Sequence, residues 1–220
     1  PEPLGGAEVM AADPGDEVVA VVGVDGKYAI VTDRGEDVSG VKTTAAGGDL
    51  FTASYNGNTF FIGGAGGAGY QIDAAGEVVG DAYSVIEGRD IHTASWNGNF
   101  WLVAGNEGYI ERVRPDGSSV GQPQQLDGFD VIYHARWSGS EWMVVGEGDG
   151  RGVLQLIGSD GMTLSDRVSL AGVDALYAVE WSGREWLVGG TEGRVQFVGS
   201  DGMPRNQPAG QPKDVLSGAT

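Results

Sequence analysis

Short apolar runs that follow tight turns recur along this chain. The run Trp186-Leu-Val188, for example, comes shortly after the pair Ser182-Gly183. A run that is apolar at nearly every position favours a strand covered on both faces. Gly after Ser, Asn or Asp tolerates the positive φ that two-residue hairpin turns require. Since a second short strand, Tyr177–Trp181, precedes the turn, the pattern predicts a β-hairpin with a large ring on either side of its turn.

This hairpin pattern is repeated. Clear copies begin at Trp96, Trp137 and Trp181 and a looser copy at Tyr55, so the spacings are 41, 41 and 44 residues. The loosest copy begins at Val24. Self-similarity at such a period indicates a propeller, a solenoid or a repeat array.

Two further strands complete each repeat. Val195–Val198 and Leu154–Ile157 occupy matching places as third strands, and an Asp-Gly turn follows each of them. A more polar segment, Thr163–Leu170, predicts a fourth strand. Gly supplies 40 of the 220 residues, which disfavours helices because Gly costs about 1 kcal/mol relative to Ala inside a helix. Four antiparallel strands with an apolar interior make a propeller blade.

The repeats therefore predict an all-β fold, a five-bladed β-propeller of four-stranded antiparallel blades in a single domain, residues 1–220. A single blade cannot bury both faces without neighbours, which favours one domain. The first blade is predicted to be shortened by one strand, and residues 8–10 to help close the ring as an outer strand. The predicted blades are 17–48, 49–89, 90–129, 130–173 and 174–218.

Composition narrows the possible functions. The net charge of −18 disfavours binding to nucleic acid or to anionic membranes, both of which require basic patches. No apolar run approaches the ~20 residues that span a bilayer. The absence of cysteine excludes disulfides, thiol nucleophiles and thiolate metal sites. The acidic surface either keeps a monomer soluble or attracts cations and basic partners.

The hairpin motif resembles the repeats of bacterial secreted and lipoprotein β-propellers. Those repeats carry Trp, then Asn, Asp or Ser, then Gly, a second aromatic residue and an apolar pair, with a later Asp-Gly turn. The resemblance implies a propeller fold and an extracytoplasmic location, and it implies no activity. In blade number the chain is similar to the five-bladed tachylectin-type lectins, although no sugar-binding motif is present. The later turns that carry the resemblance are Asp116-Gly117, Asp160-Gly161 and Asp201-Gly202.

An Asp shortly after a Gly recurs at the start of every predicted blade. If these residues precede the innermost strands, they gather at one mouth of the central channel, together with acidic loops between second and third strands. Such a mouth would bind a hard cation such as Ca²⁺, or an ammonium-bearing ligand. Alternatively, each Asp accepts backbone N–H bonds in its own turn. The five candidates are Asp16, Asp49, Asp90, Asp130 and Asp174, and the loop residues are Asp33, Glu107, Glu147, Asp149 and Glu192.

Other residues allow competing hypotheses. His92 and His134, on neighbouring innermost strands, either bind a metal or fill space near the channel. Glu180 beside Trp181 is the one candidate acid for glycoside hydrolysis, although Arg136 one blade earlier suggests a plain ion pair. The repeated Trp residues are better explained as core between blades than as a sugar-stacking surface. The sequence predicts a non-catalytic binding scaffold without a required cofactor; a propeller glycoside hydrolase is the alternative.

Overall fold

The computed structural model of the protein describes residues 2–205. The strands of this part are β1 (Val9–Pro14), β2 (Val18–Gly23), β3 (Lys27–Thr32), β4 (Lys42–Thr43), β5 (Leu50–Tyr55), β6 (Phe60–Gly64), β7 (Ala68–Ile72), β8 (Tyr83–Ser84), β9 (Ile91–Trp96), β10 (Trp101–Gly105), β11 (Tyr109–Val113), β12 (Gln124–Gln125), β13 (Val131–Trp137), β14 (Glu141–Gly148), β15 (Arg151–Gly158), β16 (Val168–Ser169), β17 (Leu176–Trp181), β18 (Trp186–Gly190) and β19 (Val195–Val198). The same residues contain four single-turn 3₁₀ segments, and none of their helices is long and apolar enough to span a membrane.

The strands form five antiparallel sheets, one for each repeat, in which neighbours along the chain are neighbours in the sheet. Four sheets have four strands, and the last, β17–β19, has three within the described residues. The predicted extension of the fifth blade to residue 218 lies outside the described residues. The chain divides into two compact units, residues 1–126 with three sheets and residues 127–220 with two. The all-β prediction and the number of blades are confirmed.

The prediction that the first blade has its hairpin turn near Val24 and lacks one strand is wrong. Its sheet has four strands, because β1 is its first strand and pairs with β2. The hairpin turn of this blade lies at Gly15 and Asp16, directly after Pro14, which precedes Tyr55 by the usual 41 residues (55 − 14). The segment Val24–Gly26 instead joins β2 to β3. Asp25 and Gly26 have φ of 58° and 68°, so this turn carries the same Asp-Gly signal as a hairpin but lies at the other end of the blade.

The second ring of each hairpin motif belongs to the core, as predicted. Trp101, Trp142 and Trp186 are all 0% exposed. The first ring of each motif is half-buried and packs at an angle on the second. The centroid separations are 4.7 Å for Trp96–Trp101, 4.5 Å for Trp137–Trp142 and 4.7 Å for Trp181–Trp186.

Within each unit, successive blades pack face to face. Phe61 of the second blade shares a buried cluster with Trp101 of the third, and Met143 of the fourth with Trp186 of the fifth. The first strands of successive blades also lie against one another within each unit. These strands, β1, β5, β9, β13 and β17, are therefore the innermost strands, which line the channel in the propeller class.

Candidate functional site

The first strand of every blade contains a β-bulge at its second or third residue. In the second blade Leu50 pairs with Gly64 and Thr52 with Gly63, so Phe51 has no partner in the ladder. Bulges re-aim a side chain and are frequent beside functional sites. We call the five residues at this position the bulge residues. They are Met10, Phe51, His92, Tyr133 and Tyr177.

The bulge residues lie at the end of the blade where the first strand begins, which we call the bulge end. The turn between the second and third strands lies at the same end. The opposite end contains the hairpin turn between the first and second strands, and we call it the hairpin end. Four of these turns carry an acidic residue in the left-handed region, with φ of 55–58°. They are Asp25, Glu107, Asp149 and Glu192. Glu107, Asp149 and Glu192 lie in these turns, as predicted. Glu147 lies near the end of β14 instead, and Asp33 follows β3 and lies at the hairpin end.

In the first unit, two bulge residues form a stacked pair. The rings of Phe51 and His92 have centroids 5.3 Å apart and an interplanar angle of 22°. Nε2 of His92 lies 2.8 Å from Oδ1 of Asn106, and Nδ2 of Asn106 donates to Oδ2 of Asp90 at 3.2 Å. Met10, the bulge residue of the first blade, is 44% exposed. This end of the unit therefore presents an oriented aromatic pair with a carboxylate behind it.

In the second unit, the corresponding pair is Tyr133 and Tyr177. Their ring centroids are 5.1 Å apart at an interplanar angle of 53°. The Tyr133 hydroxyl donates to Oε2 of Glu147 at 3.4 Å, and Tyr177 is 54% exposed. Burial raises the pKa of Tyr133, and the charge of Glu147 raises it further, so this phenol is neutral at pH 7. Two aromatic faces and a carboxylate are the groups that attract organic cations.

The predicted Asp residues form backbone hydrogen bonds at the bulge end. Oδ1 of Asp49 accepts from the N–H of Asp25 at 2.9 Å, and Oδ1 of Asp90 accepts from the N–H of Gly66 at 2.8 Å. Both bonds reach the turn of the preceding blade. Oδ2 of Asp130 accepts from the N–H of Asp149, in its own blade, at 3.0 Å. These carboxylates stabilise turns, and in two cases they join neighbouring blades.

The remaining two candidates lie at opposite ends of their blades. Asp174 lies at the bulge end, where its N–H donates to Oγ1 of Thr191 at 2.9 Å. Asp16 lies at the hairpin end and accepts from the Tyr55 hydroxyl at 3.2 Å, so its predicted position at the acidic mouth is wrong. The cause is the misplaced first repeat. Glu8 occupies the equivalent place, since its carbonyl accepts from Val24 as that of Asp49 accepts from Ala65.

His134 follows the bulge and has a structural contact. Its Nδ1 accepts from the N–H of Val179 in the next blade at 3.0 Å. Thr52 performs the same task in the first unit, where its Oγ1 accepts from the N–H of Ala94 at 3.2 Å. Burial lowers the pKa of His134, and nearby Arg136 lowers it as well while Glu180 opposes them. The folded protein therefore holds a neutral imidazole.

We expect His134→Thr to remove one source of pH dependence from the stability. The unfolded chain takes up a proton at His134 near pH 6.5, whereas the folded protein resists this down to its lowered pKa. The contribution of neutral His134 is thus complete above pH 6.5 and is lost as the pH falls towards the folded pKa. Thr retains an acceptor, as Thr52 shows, but does not titrate. Urea unfolding from pH 7.5 to pH 5 measures the effect; an equal loss in both proteins would contradict it.

Two chemical hypotheses receive no support from the geometry. Glu180 forms an ion pair with Arg136 at 3.1 Å, and the two side chains are 59% and 51% exposed, which is not the apolar setting of a general acid. Among residues 2–205, no three acidic or histidine side chains are grouped so as to hold a metal ion. Ca²⁺ binding remains a prediction.

Five sheets of one repeat each, with bulged innermost strands, define the class of the protein: it is a β-propeller. Comparison of structures agrees. The WD40 propeller domain of Doa1 has a TM-score of 0.71 at 15% identity, over 86% of this chain and 62% of that one. The WD40 domain of Toxoplasma gondii coronin gives 0.73 at 14%, over 91% and 58%. The Neurospora crassa Pan2 WD40 domain gives 0.74 at 11%, over 94% and 67%.

At these identities the likeness shows the fold alone. The chain spans less than two thirds of the length of the first two solved structures, 62% and 58%. No family model matches the sequence, and no curated protein matches it.

Proposed function

We propose that this chain is a non-catalytic binding module that takes a positively charged ligand or partner segment at the bulge end of its blades. The observation that carries the proposal is the bulge in each innermost strand. It places one large side chain at the end of the blade where four of the five turns between second and third strands carry an acidic residue. Three of the five bulge residues carry a phenyl or phenol ring, namely Phe51, Tyr133 and Tyr177. Rigid aromatic side chains beside carboxylates supply contact area and charge complementarity for a cationic partner.

The charges at the bulge end support a cationic ligand. Of the arginines that lie there, Arg151 and Arg194 are exposed, whereas two others are bound by carboxylates of the chain. Nε of Arg89 lies 2.8 Å from Oε2 of Glu107, and Nη2 of Arg167 lies 3.4 Å from Oδ2 of Asp149. The net charge of −18 adds a long-range attraction for basic partners.

The alternative, glycoside hydrolysis, is not favoured. The one acid that the sequence offered, Glu180, is exposed and paired with Arg136. The carboxylates of Asp49, Asp90 and Asp130 accept backbone N–H bonds, which gives them a structural role.

Binding of labelled peptides tests the proposal. We expect a lysine-rich octapeptide to bind the protein and a glycine-serine octapeptide, a glutamate octapeptide and single-stranded DNA not to bind it. Phe51→Ala and Tyr177→Ala should each weaken binding, whereas Leu164→Ala should not. Leu164 is 58% exposed and lies beyond β15, at the hairpin end. Its replacement by Ala therefore removes exposed apolar surface away from the proposed site and serves as the matched control.

Fluorescence anisotropy at low and physiological ionic strength gives the affinities. Screening weakens a purely electrostatic attraction at the higher ionic strength but leaves the dependence on the rings. Equal affinity of the two bulge variants and Leu164→Ala would overturn the assignment of the site. Binding of the glutamate peptide as tight as that of the lysine peptide would overturn the assignment of the ligand charge.

A further inference from the structure

We propose that Tyr133, Tyr177 and Glu147 form a site for an alkylammonium group, carried either by a lysine side chain or by a small quaternary amine. This inference rests on the proposed function and names the chemical group that the second unit recognises. It is carried by the geometry of the two rings, by the exposure of Tyr177 and by the position of the carboxylate.

The Tyr177 ring leaves an aromatic face accessible. At an interplanar angle of 53° and a centroid separation of 5.1 Å the rings of Tyr133 and Tyr177 form a wedge, and they do not cover each other as parallel rings would. Tyr177 remains 54% exposed although it lies on an innermost strand. Exposure of a large ring at that position has an energetic cost, because the ring keeps apolar surface in contact with water. A cation over the exposed face would remove that surface from water and interact with the ring quadrupole.

The carboxylate is placed to neutralise such a cation. Glu147 lies at the bulge end of β14, within reach of the Tyr133 hydroxyl at 3.4 Å. That hydroxyl donates to the carboxylate, which fixes the orientation of Tyr133 beside the exposed ring of Tyr177. A primary ammonium has N–H donors for Glu147, whereas a quaternary ammonium interacts through charge alone.

The first unit shows that this chain already uses the same combination for a cation of its own. The Arg89 guanidinium lies 3.9 Å from the centroid of Tyr109, and it also bonds Glu107 at 2.8 Å and Glu87 at 3.0 Å. An aromatic face with carboxylates beside it thus binds a cation within the folded protein. In the second unit, the rings and the carboxylate are present at the bulge end with the Tyr177 ring open to solvent.

Two arginines of the second unit are held by other groups of the chain. Arg136 is held by Glu180 at 3.1 Å on the hairpin side of the bulge. Arg167 donates to the carbonyl of Gly128 and lies 3.4 Å from Asp149. The exposed face of Tyr177 is the surface that an external ammonium would cover.

NMR titration with choline and with its neutral carbon isostere tests the inference on the full chain. The two molecules have the same shape, so the difference between them isolates the positive charge. We expect choline to shift amide signals of Tyr133, Tyr177 and their neighbours, and the isostere to bind at least fivefold more weakly. A second pair consists of a lysine derivative with a free ammonium and its uncharged Nε-acetylated form. The tighter binder of choline and the free-ammonium derivative distinguishes a quaternary amine from a lysine side chain as the ligand.

Variants locate the site. Tyr177→Leu should weaken choline binding about fivefold to tenfold, the range that one cation–π contact supplies, and Tyr177→Phe should retain it. Glu147→Gln should weaken the lysine derivative more than choline. Phe51→Leu, in the first unit, should leave choline binding unchanged.

The outcomes separate the two proposals. Equal binding of choline and its isostere, or a Tyr177→Leu variant that binds choline like the parent, would overturn the alkylammonium site. If the lysine-rich octapeptide still binds in a manner that depends on Phe51 and Tyr177, the proposed function survives that result. If neither choline nor the octapeptide binds, both are wrong.

Discussion

Trp142→Ala is expected to lower the free energy of unfolding by about 3–5 kcal/mol, as other large-to-small substitutions in protein cores do. Trp142 is 0% exposed and packs against Trp137 with 4.5 Å between ring centroids. Removal of the indole takes away buried apolar area and leaves a cavity that rigid strands on both sides cannot fill. It also removes the surface on which Trp137 packs.

Urea unfolding followed by circular dichroism measures this loss without relying on tryptophan fluorescence. Leu164→Ala is the control, because Leu164 is 58% exposed and its truncation should change the free energy by no more than about 0.5 kcal/mol. A loss below about 1 kcal/mol for Trp142→Ala would place the ring outside the core and reopen a ligand-binding role for it.

The repeat period made most of the fold predictable. Each blade has hairpin turns, apolar runs and Asp-Gly turns at fixed spacing, and these local signals agree with one another. The first blade was misread because Asp25-Gly26 resembles a hairpin turn, whereas the true turn at Gly15-Asp16 is flanked by Pro14 and lacks an aromatic residue. Both turns place an Asp next to a Gly, so the residue types alone do not tell which end of the blade they occupy.

The bulge residues were harder to find from the sequence. A bulge adds one residue to a strand, so every side chain beyond it changes face without any change in residue type. One signal was available: His92 and His134 lie four and three residues before the next Trp, so they occupy different positions relative to the bulge. In the structure His92 is a bulge residue and His134 follows one.

Local replacements within the repeat also escape sequence reasoning. Nε1 of Trp101 donates to Oγ of Ser54 in the preceding blade at 3.2 Å. At the place of Ser54 the fourth blade has Arg136, which has no acceptor, and Nε1 of Trp186 has no hydrogen-bond partner among the described residues. A buried donor of this kind follows from one substitution in another blade, which is visible only when the blades are superimposed on the structure.

Gly190→Ala is the second large effect that we expect, with a loss of about 3 kcal/mol or more, typical of a substitution that forces buried backbone to move. Gly190 has φ of −150° and ψ of −159°, which an alanine adopts without strain. The obstacle is the added Cβ, which would collide with the carbonyl oxygen of Ala175 and lie 2.7 Å from Cγ1 of Val173. In each of the other blades, the equivalent glycine faces the equivalent carbonyl oxygen. These glycines are Gly23, Gly64, Gly105 and Gly146.

The neighbouring Gly189→Ala is the matched control. A Cβ on Gly189 would have its nearest neighbours at 4.0 Å, so we expect no loss of stability and a gain of up to about 1 kcal/mol from the stiffer unfolded chain. Gly190 pairs with Leu176 and Gly189 with Ala178, on either side of the Tyr177 bulge. The carbonyl of Ala175, which the new Cβ on Gly190 would displace, accepts from the N–H of Thr191 at 3.0 Å and fixes the start of the innermost strand.

Unfolding in urea compares the two variants, and equal stability would show that the bulge tolerates a side chain at Gly190. If Gly190→Ala is the less stable, its choline affinity should fall as well, because the same carbonyl holds the backbone that presents Tyr177.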